Sequence, residues 1–306
     1  MSHRSTFARG GFAPVLCIAV GALVFAGCTD NSTDESSSSG ASATVQINVV
    51  RVDEIAQTVP EKIRAAKKLV VGVNVPYAPN EYKDDSGKIV GFDVDLMNAV
   101  AQVLDVTPVY TESDFDKIIP AIQAGTYDMG MSSFTDSKER EQTVDFTTYF
   151  NAGVQWAQQT GKPVDPNNAC GKRVAVQSTT VEDTDDVPTK SAACLAAGKP
   201  PIDKVKFDRQ DDATTALVLG KVDAMSADSP VTAYGIKQSG GKIEPAGEVF
   251  DSAPYGWPVA KGSPLAEVLK LAVQHLIDDG TYQKIAENWG VQNGTIQQSV
   301  VNGAVN

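Results

Sequence analysis

From Lys67 onward, short apolar runs alternate with stretches whose apolar residues recur at helical spacing, and this alternation limits the fold more than any other feature. Leu69 to Val73 is a short apolar strand. Asp84-Asp-Ser-Gly87 is a turn between two short strands. Leu96, Val100, Val103 and Leu104 form the apolar face of a helix. Its first turn carries Asp93 and Asp95, where the helix dipole favours acids. Ile118, Ile119 and Ile122 line a second helix that stops at Gly125, a residue suited to a left-handed C-cap. Strands alternating with helices in this way predict an α/β fold with a mostly parallel sheet.

The pattern echoes itself. Ile122-Gln-Ala-Gly125-Thr-Tyr-Asp128 leads into Met-Gly-Met-Ser132-Ser133, and Leu217-Val-Leu-Gly220-Lys-Val-Asp223 leads into Ala-Met-Ser-Ala227-Asp228. Each time a helix ends on Gly, Asp follows, a short strand runs, and polar residues sit at its carboxyl end. Aligned on the glycines, Ser133 stands opposite Asp228. Two α/β lobes of like design would bind a ligand where the carboxyl ends of their strands face each other. Helix–Gly–strand units are also common without any repeat, so the echo alone leaves both readings open.

The ends of the chain carry different signals. Arg4 and Arg9 precede an apolar run of roughly fifteen residues, Ala13 to Gly27, too short to span a bilayer. Val24-Phe-Ala-Gly-Cys28 resembles a bacterial lipobox, with Phe25 where Leu is usual. Residues 1–27 are therefore expected to be an export signal, with Cys28 lipidated; an ordinary cleaved secretory signal is the alternative. Residues 29–43 are polar and low in complexity, as in a tether. A short amphipathic segment with Ile55, Val59 and Ile63 completes 28–66, and the folded body is expected to begin near Lys67. Arg4 and Arg9 leave with the signal and no acid does, which takes the net charge from −12 to −14. So acidic a chain is not expected to bind nucleic acid or anionic headgroups, both of which demand clustered Lys and Arg.

Of the four cysteines, Cys170 and Cys194 remain beyond the lipobox, and an exported pair is expected to form one disulfide. Closing a loop of that size stabilises by about 3–4 kcal/mol in the chain-entropy model. A metal site on the same thiolates lacks histidine partners, since His3 lies in the signal and His275 within a helix. A His-dependent triad fails for the same reason, so no catalytic residue, metal or cofactor is expected.

Three charged or donor-rich stretches stand near the strand ends. Arg140 closes the hydroxyl cluster Ser132, Ser133 and Thr135, and its planar fork suits a carboxylate. Asp228 suits an ammonium. Gln177-Ser-Thr179-Thr180 follows a strand and opens a segment with Glu182 and Asp183, resembling a helix N-terminus with free N–H groups. Together they fit a zwitterion, an α-amino acid. Each residue also has a plainer reading. By composition Arg140 fits a solvated charged helix face, Asp228 an N-cap, Thr179 and Thr180 caps, and Tyr77 and Phe115 a core.

Tyr77-Ala-Pro-Asn-Glu-Tyr82, Gly91-Phe-Asp-Val-Asp-Leu96, Phe115-Asp-Lys-Ile-Ile-Pro120 and Ser132 to Arg140 resemble the polar amino-acid-binding proteins of ABC importers, solute-binding protein family 3. Val144-Asp-Phe-Thr147, Val176-Gln-Ser-Thr-Thr180, Gly220-Lys-Val-Asp-Ala224 and Asp278-Asp-Gly-Thr-Tyr282 continue the match to about Val291. The resemblance implies a periplasmic binding protein fold of two lobes, each a mostly parallel sheet flanked by helices, joined by two crossover strands. Its expected division is 67–151 with 258–296, then 152–257, with 297–306 as a C-terminal tail.

The resemblance also implies site roles: Arg140 and Thr180 for the ligand carboxylate, Asp228 for its ammonium, and Ser132, Ser133, Thr135 and Thr179 as further contacts. Tyr77 and Phe115 would flank the ligand side chain. Asn74 stands where binders of basic amino acids often carry an acid, which weakens the case for lysine or arginine, although Glu81 is placed to restore an acid at the pocket mouth. Asn80 replaces a common aromatic and Ser178 a frequent Gly. The expected protein is a monomeric, lipid-anchored binder on the outer face of the membrane that hands a polar amino acid to a permease and is not an enzyme. A sensor for a signalling partner, or a dehydratase or hydrolase on the same scaffold, are the rivals.

Overall fold

A computed structural model describes residues 47–305; the export segment, Cys28 and the polar stretch 29–43 lie outside the described residues. In chain order, the first half contains the short helices α1 (Asp53–Ala56) and α2 (Glu61–Ala66), then β1 (Lys68–Val73) and a hairpin of β2 (Tyr82–Lys83) and β3 (Ile89–Val90). It continues with α3 (Phe92–Leu104), β4 (Thr107–Glu112), α4 (Phe115–Gln123), β5 (Met129–Gly130) and α5 (Lys138–Glu141). A long strand β6 (Val144–Gln159) leads into β7 (Arg173–Gln177), a π-helical turn at Glu182–Asp186, α6 (Val187–Ala196) and β8 (Asp203–Phe207). There follow α7 (Gln210–Val218), β9 (Ala224–Asp228), α8 (Ser229–Gln238), the long returning strand β10 (Ile243–Ala260), α9 (Leu265–Asp278) and α10 (Thr281–Trp289).

The strands lie in the order β4-β1-β5-β10-β6-β9-β7-β8. Each half contributes three parallel strands with its first strand in the middle, and β6 and β10 pair antiparallel between the halves. This is the two-lobed periplasmic binding protein fold, with β6 and β10 as the crossovers. Their pairing slips between Ala246 and Phe250, and again before Ala253, opposite Ala152 to Val154. Gly153 is required at this slip, because a Cβ there would come within 2.7 Å of the Phe250 carbonyl oxygen.

The alternation of side chains along a strand sends apolar residues to both faces of each half-sheet. Leu69, Val71 and Val73 pack under α3, α9 and α10 with Leu96, Val100, Leu269, Val273 and Ile285. Ile118 and Ile122 of α4 cover the opposite face with Phe134 and Phe146. In the second half Val174 and Val176 meet Trp156 and Val187, while Ala175 meets Ala213, Leu217 and Met225. Cys170 and Cys194 are disulfide-bonded beside the Trp156 core.

The echo between the halves is a shared device. Gly125 and Gly220 both end their helices at positive φ, 73° and 70°. Asp128 then accepts from the Val70 N–H at 2.8 Å, and Asp223 from the Arg173 N–H at 2.8 Å. In each lobe one carboxylate pins the start of the central strand to the loop that leads into the next.

The body begins before Lys67 and runs past Ile296. Ile47, Val49, Val52 and Ile55 lie against the first core, Val59 and Ile63 are buried in it, and the Val52 N–H donates to the Val103 carbonyl. At the other end Val300 and Asn302 bond to Thr148 and Phe146 of β6, and the Gly303 N–H donates to Asp136 at 2.7 Å. Before Lys67, Ile55, Val59 and Ile63 carry the four-residue spacing of the short amphipathic segment, while the stretch after Ile296 carries no such period.

Candidate ligand site between the two lobes

A narrow cavity lies at the carboxyl ends of β1, β5, β7 and β9. Asn74, Tyr77, Phe115, Ser132, Ser133, Thr135 and Arg140 line it from the first lobe, and Gln177, Thr180, Val181, Glu182 and Asp228 from the second. Thr179 does not line it and contributes instead through its backbone. From sequence alone Val181 carries no signal, and Gln177 and Glu182 read only as parts of a donor-rich helix start.

Arg140 sits on α5, whose exposed neighbours Lys138 and Glu139 look like the solvated face that composition suggests. Its own guanidinium turns inward. Nη1 donates to the Thr135 carbonyl at 2.8 Å and Nη2 to the Thr179 carbonyl, in the other lobe, at 3.0 Å. The guanidinium carbon lies 5.7 Å from the Phe115 ring and 5.6 Å from that of Phe134, within range of a cation–π contact. Phe115 and Phe134 are themselves stacked with centroids 4.3 Å apart, so Phe115 serves both core and cavity wall.

Opposite Arg140 stand two buried acids. Asp228 is the first-turn neighbour of α8 yet makes no side-chain cap bond. Its carboxylate accepts from the Tyr77 hydroxyl at 2.5 Å, a bond between lobes. Burial raises the Asp228 carboxyl to about 6, against the pull of Tyr77 and Arg140. Glu182 is 1% exposed. Burial, and next the charge of Asp228, push its carboxyl to about 8. A third link between lobes runs from Gln177 Nε2 to Asn74 Oδ1 at 2.9 Å. Thr180 accepts from the Asp183 N–H at 3.4 Å and donates to the Gln177 carbonyl at 2.9 Å, so it closes the turn as well as facing the cavity.

Behind the cavity lies a second acid pair. Glu81 is not at the pocket mouth, as the sequence suggested; it is fully buried, because the Tyr77–Glu81 turn folds it under the serines. Ser132 Oγ donates to Glu81 at 2.9 Å, and Ser133, held at φ 50°, lies 3.3 Å from Asp93 through both N and Oγ. The Tyr149 hydroxyl donates to the same Asp93 at 2.5 Å. Burial raises Asp93 to about 7 and, with the charge of Asp93, pushes Glu81 well up. These acids hold the serines from behind.

With this geometry the comparisons agree. The model of the bacterial extracellular solute-binding proteins, family 3, matches residues 69–292, and the chain belongs to that family. It is 45% identical over 253 residues to the arginine-binding protein ArgT of Corynebacterium glutamicum, covering 82% of this chain and 83% of the relative. An ancestral arginine-binding protein solved with arginine superposes with a TM-score of 0.67 at 34% identity, over 73% of this chain and 98% of the other. The glutamine-bound form of an ancestral arginine-binding protein gives 0.66 at 35% identity, over 74% and 98%. These relatives are binding proteins by name, not enzymes.

Proposed function

We propose that this chain captures an α-amino acid by closure of its two lobes and delivers it to the permease of an ABC importer. The observation that carries this reading is the opposition of Arg140 and Asp228 across one buried cavity. A ligand carboxylate would take the free donors of Arg140 and its ammonium the carboxylate of Asp228. Only a molecule with both charges bridges the cleft, and its better fit to the closed state supplies the closing free energy. The names of the relatives put arginine first among the ligands to test.

Cys28 is the proposed lipid anchor, tethering a monomeric binder to the outer face of the cell membrane. The proposed lobes are 67–151 with 258–296, and 152–257, with the ordered stretches at 47–66 and 297–305 docked on the first.

Calorimetry against the standard amino acids tests the reading. Wild-type protein should bind at least one of them. Arg140→Ala should lose affinity on the order of 100-fold while keeping its melting temperature, because the ligand carboxylate would be buried without a partner. Unchanged affinity in that variant would remove Arg140 from the site.

A further inference from the structure

One basic and two acidic side chains share the cavity wall, and they do not balance. Arg140 is the one cation among the lining residues; Glu182 and Asp228 are both acids, and the other lining side chains are neutral. A zwitterionic ligand adds no net charge. With Arg140 on its carboxylate and Asp228 on its ammonium, Glu182 is left over. That residue is 1% exposed, and its Oε1 has no hydrogen-bond partner among the described residues. An unpaired buried carboxylate costs several kcal/mol, so a site of this kind is complete only when something cationic or a proton meets Glu182.

We propose that Glu182 is the counter-ion for a cationic ligand side chain, a guanidinium or ammonium, so that the preferred ligand is a dibasic α-amino acid. This rests on the amino-acid reading above and adds the side-chain class to it. It also answers the neutral Asn74. That residue is committed on both sides of its amide, donating to the Ser113 carbonyl at 2.9 Å and accepting from Gln177 at 2.9 Å. The acid missing from position 74 in the first lobe is supplied by position 182 in the second. Glu182 starts the π-helical turn that runs to Asp186, and such turns are frequent at functional sites.

The groups that act on Glu182 are Asp228 and Asp186, which disfavour its charge, and its own backbone N–H and the Thr180 hydroxyl, which favour it. Glu182 in turn acts on Arg140 and Tyr77. With its carboxyl near 8, Glu182 holds a proton in the cavity at neutral pH. A cationic side chain must displace that proton; a neutral one leaves it in place. Affinity for arginine should therefore rise with pH up to about 8, approaching tenfold per unit, while affinity for glutamine stays flat over pH 7–8.

Titration calorimetry of wild type, Glu182→Gln and Glu182→Asp with L-arginine and L-glutamine, over pH 6.5–8.5, tests the proposal. Glu182→Gln should weaken arginine on the order of 100-fold, leave glutamine within about threefold, and abolish the pH slope. Glu182→Asp should restore part of the arginine affinity and the slope. Equal loss of both ligands in a folded Glu182→Gln, or no loss of either, overturns the assignment. Wild-type protein that binds glutamine and rejects arginine overturns it while leaving the amino-acid reading intact. Wild-type protein that binds no amino acid overturns both. Should Glu182→Gln fail to fold, the wild-type pH profiles decide: parallel slopes for the two ligands defeat the proposal.

Discussion

Ser132 and Ser133 face the cavity, yet their hydroxyls are turned to carboxyl groups behind them, Glu81 and Asp93. Asp93 is raised to about 7 from an ordinary 3.8, so the folded state holds its proton where the unfolded chain has lost it. The stability carried by that proton is complete below pH 3.8 and disappears as pH rises through about 7. Asp93→Asn, which cannot ionise, should therefore gain on wild type in melting temperature between pH 4 and 8; a constant difference would mean that Asp93 is not protonated in the fold. Residue by residue, most of the positions that the family resemblance singles out line the cavity, whereas spacing alone left them open to plainer readings. The sequence misplaced Glu81 because the acid lies in a turn whose fold-back has no period. It undervalued Glu182 because an acid two positions after Thr180 resembles the ordinary charge of a helix start.

At the scale of elements, the turn from Gln177 to Asp183 places chemistry from a backbone that would otherwise be free to move. Thr179 holds φ 65°, a conformation that costs a residue with a Cβ about 1 kcal/mol or more. Its N–H is fixed by Asp183 at 2.9 Å, and Asp183 is itself gripped by Lys204 and Lys206, both at 2.7 Å. The Thr179 carbonyl then receives Arg140 from the other lobe. Asp183→Asn should loosen this turn and weaken ligand binding about tenfold, consistent with loss of roughly one charge-assisted hydrogen bond. Calorimetry with a thermal scan would separate that from general unfolding. The alternation of strand and helix was legible because burial imposes periods of two and about three and a half. Ile55, Val59 and Ile63 show the amphipathic part of 47–66, but its attachment to the first core and that of 297–305 were not legible, since both follow the relief of a surface made by other elements.

At the scale of the whole molecule, three side-chain hydrogen bonds among the described residues span the cleft: Tyr77 to Asp228, Gln177 to Asn74, and Arg140 to Thr179. The covalent links are β6 and β10, irregular where they pass between halves at Gly153 and Phe250. A ligand that strengthens the same bridges should draw the lobes together. Small-angle scattering should show a smaller radius of gyration with ligand than without; equal radii would mean that closure does not accompany binding. The path of the chain has a further result. Every buried residue of the two second-lobe cores falls from Val154 to Ala246, with Phe250 packed against one of them, whereas the larger first-lobe core needs Tyr255, Trp257, Leu269, Val273 and Ile285 as well as Leu69 to Ala152. A polypeptide delivered from its N-terminal side thus presents a complete second lobe while the first still lacks α9 and α10. The half that begins first is the last that can finish folding.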